Sequence, residues 1–179
     1  MTTSVQEAQW VLRAQCNDRE ALELLLRSVQ PALHRYLCGL VGTTSASDVL
    51  QEVLIALSRK LAALHDPKLF RLWAYRVASR LAFRQLKKEK RWQEQGLDEF
   101  ALESIAATES APAGSILKDL VNMDAVSPAS RAVLALHFEE DLPLADVAAI
   151  LEIPLGTAKS RLAYGLTTIR KQLNLKRSV

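Results

Sequence analysis

The chain has few of the residues that build sheets, staples or metal centres. Only six of its 179 residues are Gly and six are Pro, too few for the repeated turns that a succession of short strands needs. Aromatics make up 6% against a hydrophobic fraction of 49%, so the apolar content is mostly Leu, Ala and Val, which suits helices. The two cysteines, Cys16 and Cys38, form no Cys-x-x-Cys pair, and no disulfide framework is expected from them. His34 and Cys38 share a helix face at i,i+4, but no second Cys-x-x-Cys or His-x-x-x-His completes a zinc shell. The expectation is therefore no metal and no cofactor. A Gly-rich phosphate loop and a nucleophile elbow are both missing, and three scattered His residues form no triad, which argues against an enzyme. No uninterrupted apolar run approaches the roughly 18 residues of a membrane span, and the amino terminus lacks a basic-then-apolar signal. A cytoplasmic protein without membrane insertion is expected.

What is present is helical periodicity and segregated charge. The fold class read from it is all-α. The length suits one ordinary domain or two small ones. The net charge of +3 hides strong asymmetry. Arg71 to Arg91 is basic with Glu89 as its sole acid, whereas Glu94 to Glu109 carries only acids. From Leu155 onward there are Lys159, Arg161, Arg170, Lys171, Lys176 and Arg177 and no acid. Two basic surfaces with an acidic connector imply two contacts on a polyanion.

Along the chain, Trp10, Val11 and Ala14 mark a short amphipathic helix. Asn17-Asp18 then caps a long one carrying Ala21, Leu22, Leu25, Leu26, Val29, Leu33, Leu37 and Leu40 inward. Pro31 is expected to kink or split that helix. Residues 42–45 read as a turn, with Ser45 or Ser47 capping a helix from about Ala46 to Leu64 whose inner face is Val49, Val53, Ala56, Leu57 and Leu61. Asp48, Gln51 and Glu52 near its start either serve the helix dipole or form a polar patch that meets a basic partner protein. Asp66-Pro67 restarts the chain with a capping Asp and a first-turn Pro. In the following helix Phe70, Trp73, Ala74, Val77, Ala78, Leu81 and Ala82 form a core stripe. Arg76, Arg80, Arg84, Lys87, Lys88 and Arg91 form a basic ridge long enough to track a phosphate backbone. Of the nearby aromatics Phe70, Trp73, Tyr75 and Phe83, most are simply core, though such rings can stack on unpaired bases.

Residues 93–114 read as an acidic linker ending in Ala111-Pro112-Ala113-Gly114, and a short helix is expected at 115–123. Ser127-Pro128 caps a helix through Phe138. Two short amphipathic segments follow. Leu144, Val147, Ala148 and Leu151 form one face, and Ala158, Leu162, Leu166, Ile169 and Leu173 the other. Between them Glu152-Ile153-Pro154 leaves room only for a corner. With a basic second segment, this is a helix-turn-helix. Ser160, Tyr164, Thr167 and Lys171 point away from the apolar stripe, and Lys159 and Arg161 flank it, a face suited to a major groove.

The order of these motifs resembles the extracytoplasmic-function sigma factors of bacterial RNA polymerase over nearly the whole chain. DVLQEVLIAL is similar to that family's polymerase-binding segment, FRLWAYRVASRLAFRQLKKEKR to its minus-ten helix, and IPLGTAKSRL to its minus-35 recognition helix. The resemblance implies a first domain over residues 1–92, the linker over 93–114 and a helix-turn-helix domain over 115–179. It further implies that Asp48, Gln51 and Glu52 dock on core RNA polymerase. His65 and Lys68, in the loop 65–69 that would hold a flipped base, would contact the minus-ten element together with Trp73, Arg76, Arg80, Arg84, Lys87 and Lys88. Gly156, Thr157, Lys159, Ser160, Arg161 and Tyr164 would contact the minus-35 element. The linker would thread toward the RNA exit channel, and an anti-sigma factor would clamp a protein that is monomeric when free. Promoter melting would consume no nucleotide here, since the chemistry belongs to the polymerase.

Some positions depart from that pattern. Leu54 replaces Phe. Arg80 and Arg84 replace Asn and Asp, adding charge to the ridge. Pro143 replaces a Ser/Thr cap, and Glu152 replaces Gly in the turn, with mild strain if the backbone needs positive φ. Gly165 inside the recognition helix costs about 1 kcal/mol relative to Ala. Two other functions share the pattern. A sigma-like decoy would bind an anti-sigma factor but no polymerase, and an independent helix-turn-helix regulator would bind operator duplex alone.

Overall fold

The structure is a computed structural model that describes residues 4–95 and 125–177. The expected linker beyond residue 95 and the helix expected at 115–123 lie outside the described residues. Helix α1 (Ser4–Gln15) turns directly into α2 (Arg19–Lys60). Asn17 supplies a left-handed backbone (φ 67°), and the Asp18 carboxylate accepts from the Ala21 amide at 3.0 Å, satisfying an amide that has no partner within the helix. The Arg13 guanidinium donates to the other Asp18 oxygen at 2.8 Å. The Ala21 amide first, and then Arg13, hold the Asp18 carboxyl below its ordinary value.

The break in α2 is not where proline suggests. Pro31 lies exposed inside the helix without splitting it. The chain instead leaves helical geometry at Gly42 (φ 77°, ψ 167°), which has no Cβ to oppose a positive φ. The turn expected over residues 42–45 thus contracts to one residue. Ser45, offered as a cap, donates to Glu89 of the next helix at 2.9 Å. A stretch of α2 and its continuation is long and apolar enough to span a bilayer by length and composition. One face of it packs into the protein core, burying Leu25, Val29, Leu33, Leu37 and Leu40 before the kink and Val49, Val53 and Leu57 after it.

A 3-10 turn (Leu61–Ala63) ends this helix, and a second (Pro67–Leu69), capped by Asp66 on the Lys68 amide at 3.0 Å, opens α3 (Phe70–Gln95). Helix α3 packs along α2. Phe70, Ala74, Ala78 and Ala82 are buried, as their spacing implies, while Trp73, Val77 and Leu81 are half-buried. Tyr75 and Ser79 are also buried. The Tyr36 ring meets Tyr75 edge-on at 5.4 Å, and its hydroxyl lies 2.7 Å from that of Ser79.

In the second unit the Ser127 hydroxyl accepts from the Ser130 amide at 3.3 Å and starts α4 (Pro128–Leu134), which widens into a π-helical turn (Ala135–Glu139). His137 Nδ1 lies 2.8 Å from the Leu142 carbonyl and ties that turn to the next loop. Helix α5 (Leu144–Leu151) ends at Glu152 in the left-handed region (φ 54°), and α6 (Leu155–Arg177) follows after the corner. Gly165 explains itself here. A Cβ on it would fall 2.8 Å from Leu134 Cδ1 and 3.4 Å from Ser130 Cβ, so α4 and α6 cross closely and Leu134 would have to shift to admit it.

The two units share a core. Ala132, Val133, Leu136, Val147 and Ile150 belong to the same buried cluster as the α2–α3 interior, with α5 lying on α3 and α4 on α2. A second, smaller cluster of Val126, Leu134 and Ile169 sits under α6.

Candidate nucleic-acid interface

The basic ridge occupies one side of α3, and most of it is engaged. Arg76 donates to the Ala149 carbonyl at 3.2 Å. Arg80 grips Glu152 through both carboxylate oxygens, one of them at 3.1 Å from Nε. Arg84 pairs with Glu52. Hydrogen bonding to Arg80 is the main cause that lowers the Glu152 carboxyl below its ordinary value, and the same bond raises Arg80. Lys87 and Lys88 are exposed farther along, as are His65 and Lys68 in the loop before α3. Trp73 is half-buried with its ring 6.2 Å from that of Phe70. Phe70 and Tyr75 are sealed in the core, which removes both as stacking platforms and leaves Trp73 and Phe83.

Asp48, Gln51 and Glu52 lie together on the exposed face of α2 beyond its kink. Beside them opens a cavity of about 560 Å³ lined by Gln30, Pro31, His34, Leu50, Gln51 and Leu54. The pairing of Glu52 with Arg84 joins the expected polymerase patch to the expected minus-ten ridge, a link that neither motif reveals alone.

On α6 the exposed residues are Gly156, Lys159, Ser160 and Tyr164, with Thr157 and Arg161 half-buried beside them. Ala158 and Ile169 face the core, while Leu162, Leu166 and Leu173 pack partly buried over it. The expected stripe and polar face therefore stand as drawn. The Ser160 hydroxyl donates to the Thr157 carbonyl at 3.0 Å, an alternative partner that a base edge would have to replace.

This geometry is an exposed basic helix after a tight corner and a second basic helix presented by a kinked α-hairpin. Residues 25–92 match the family model for Sigma-70 region 2, and residues 123–171 match Sigma-70, region 4. The chain belongs to the sigma-70 family. Among its relatives, the RNA polymerase sigma-H factor of Pseudomonas aeruginosa is 27% identical over 97% of this chain and 96% of its own. The ECF RNA polymerase sigma factor SigW of Bacillus subtilis is 24% identical over 87% and 90%. The ECF sigma-E factor of Escherichia coli is 25% identical over 90% and 91%. Two solved structures share the fold. The sigma factor RpoE in complex with the anti-sigma factor NepR from Bartonella quintana has a TM-score of 0.67 at 24% identity, covering 85% of this chain and 96% of that one. CnrH in complex with the cytosolic domain of CnrY has a TM-score of 0.65 at 17% identity, covering 95% and 98%.

The sigma fold here depends on residues that sequence reasoning passed over. The Gln15 side chain donates to the carbonyls of Leu61 (3.0 Å) and Leu64 (2.8 Å), fixing the chain just before the loop 65–69. Glu7, almost fully buried, takes the Arg71 guanidinium at 2.8 and 3.0 Å and pins the start of α3 to α1. That bond is the main reason the Arg71 pKa is raised. Both contacts bring together residues far apart in the chain. No local pattern signals them.

Proposed function

We propose that this sigma factor recruits core RNA polymerase in the cytoplasm and directs it to promoters, with region 4 on the minus-35 element and region 2 on the melted minus-ten element. The observation that carries this reading is the pairing of the two matched regions with two separate exposed surfaces, the α2 patch beside its cavity and the basic start of α6. Asp48, Gln51 and Glu52 dock the polymerase, and the adjoining cavity offers an apolar seat for a side chain of the partner. His65, Lys68 and Trp73 receive the unpaired strand, while Arg76, Arg80, Arg84, Lys87 and Lys88 meet its phosphates. Gly156, Thr157, Lys159, Ser160, Arg161 and Tyr164 read the upstream major groove. The protein binds and positions but catalyses nothing, because bond formation belongs to the polymerase. Control by an anti-sigma factor is part of the proposal, supported by the two solved relatives that are complexes of that kind.

The test is transcription with purified core polymerase on a template carrying the DNA upstream of the protein's own gene. A defined transcript is expected only when the protein is present. Lys159→Ala/Arg161→Ala should lower it about tenfold or more, since each good contact to a base is worth roughly 1–3 kcal/mol. Asp48→Ala/Gln51→Ala should lower it by weakening polymerase capture, measured separately by co-elution. A chain that binds operator duplex but never polymerase would overturn the proposal in favour of an independent regulator.

A further inference from the structure

The first half of the α3 ridge that should meet DNA is engaged by the protein's own second unit. The Arg80 guanidinium holds Glu152, and Arg76 donates to the carbonyl of Ala149 one turn earlier. A second ion pair crosses the same boundary, Arg35 to Glu140 at 3.7 Å, and the Glu140 side chain is only 10% exposed. Beneath these contacts lies the shared apolar cluster, so the docking is a packed interface and not a chance touch of side chains.

Two features make Glu152 the centre of this interface. First, it occupies a left-handed position where Gly would be free of steric cost, and a side chain kept there at a cost needs a reason in its surroundings. Second, its two oxygens take the Arg80 fork as a phosphate would. The match on the Arg76 side is incomplete, because Arg76 Nε is buried and finds no partner among the described residues. A guanidinium satisfied on one edge only is poised to exchange its partner for a better anion.

We propose that Glu152 is a built-in phosphate mimic that latches region 4 onto the α3 ridge, so that the free protein is closed and nucleic-acid phosphates must displace Glu152 from Arg80 before region 2 can hold a DNA strand. The inference rests on the reading of the α3 ridge as a DNA surface. The pair is half exposed (63% for Arg80 and 49% for Glu152 in side-chain area). An ion pair of that exposure shifts an equilibrium by about twofold to fivefold, enough for a latch that DNA can open. The apolar contact beneath it supplies the rest of the docking.

The experiment is fluorescence transfer in the full-length chain between dyes on the exposed Cys16 and on an introduced Lys171→Cys, with Cys38 replaced by Ala. Wild type should show high transfer that falls as oligo-dT is added. Glu152→Gly, which keeps the left-handed turn, and Glu152→Gln, which keeps the side-chain bulk, should each raise the open fraction about twofold to fivefold and tighten oligo-dT binding to match. Arg80→Glu should open the chain, and Arg80→Glu/Glu152→Arg should close it again. Low transfer in the wild type, or transfer unchanged in both Glu152 variants, would overturn the latch. Failure of the sigma reading is seen separately, as no binding of core polymerase by either wild type or Glu152→Gly. Closure that oligo-dT cannot relieve would also overturn the proposed exchange.

Discussion

Gly165 shows how a residue that looks like a flaw can be a packing requirement. In a helix interior Gly costs about 1 kcal/mol relative to Ala, so Gly165→Ala should stabilise α6 if propensity decided the matter. The missing Cβ is instead the space taken by Leu134, which is fully buried and would have to shift to admit it. Overpacking of that kind costs about 1–3 kcal/mol, so Gly165→Ala should lower the stability of region 4 by a net ~1 kcal/mol. Adding Leu134→Val should recover part of the loss in chemical denaturation. If Gly165→Ala raises the midpoint, the close crossing of α4 and α6 is wrong. Residue roles of this kind were legible only where partners are near in sequence. Asp18, Asp66 and Ser127 cap amides two or three residues onward, and the sequence identifies all three. Glu7 and Arg71 lie 64 positions apart, and a buried Glu in a short amphipathic helix carries no mark of its partner.

At the scale of elements the periodic apolar stripes placed the long helices, because burying one face is what stabilises them. Breakers cannot be weighed by type alone: the exposed Pro31, expected to kink or split α2, stays within the helix, while Gly42, in the expected turn and free of a Cβ, takes the bend. The α1–α2 corner yields a pH prediction. The Asp18 carboxyl titrates below its ordinary value of 3.8 in the folded chain, so the unfolded chain binds its proton first as pH falls. Its stabilisation is therefore complete above 3.8 and disappears as pH drops through the lower folded value. Asp18→Asn keeps a good cap but loses the charge facing Arg13. Thermal midpoints of the two proteins should differ near neutrality, and the gap should close as pH falls below 3.8 and through the lower folded value. A gap that stays constant with pH would remove the carboxylate from the account.

For the whole molecule, motif order was enough to recognise two sigma regions but not how they meet. Arg76 and Ala149 are 73 positions apart, and Arg80 and Glu152 are 72, so no local pattern links them. A single apolar cluster running through both predicts one cooperative unfolding transition in calorimetry, with van't Hoff and calorimetric enthalpies in agreement. Two resolved transitions would mean that the units fold and dock independently. The sequence did mark both ends of the latch, as an added Arg on α3 and a Glu in place of Gly at the turn, but as separate oddities. The left-handed turn at Glu152 also has a genetic side. A Glu codon becomes a Gly codon by one change at its middle base, and at this position Gly suits the backbone better than Glu does. Loss of the latch is thus a single mutational step with no toll on folding, and selection for unregulated promoter output should find it repeatedly at codon 152.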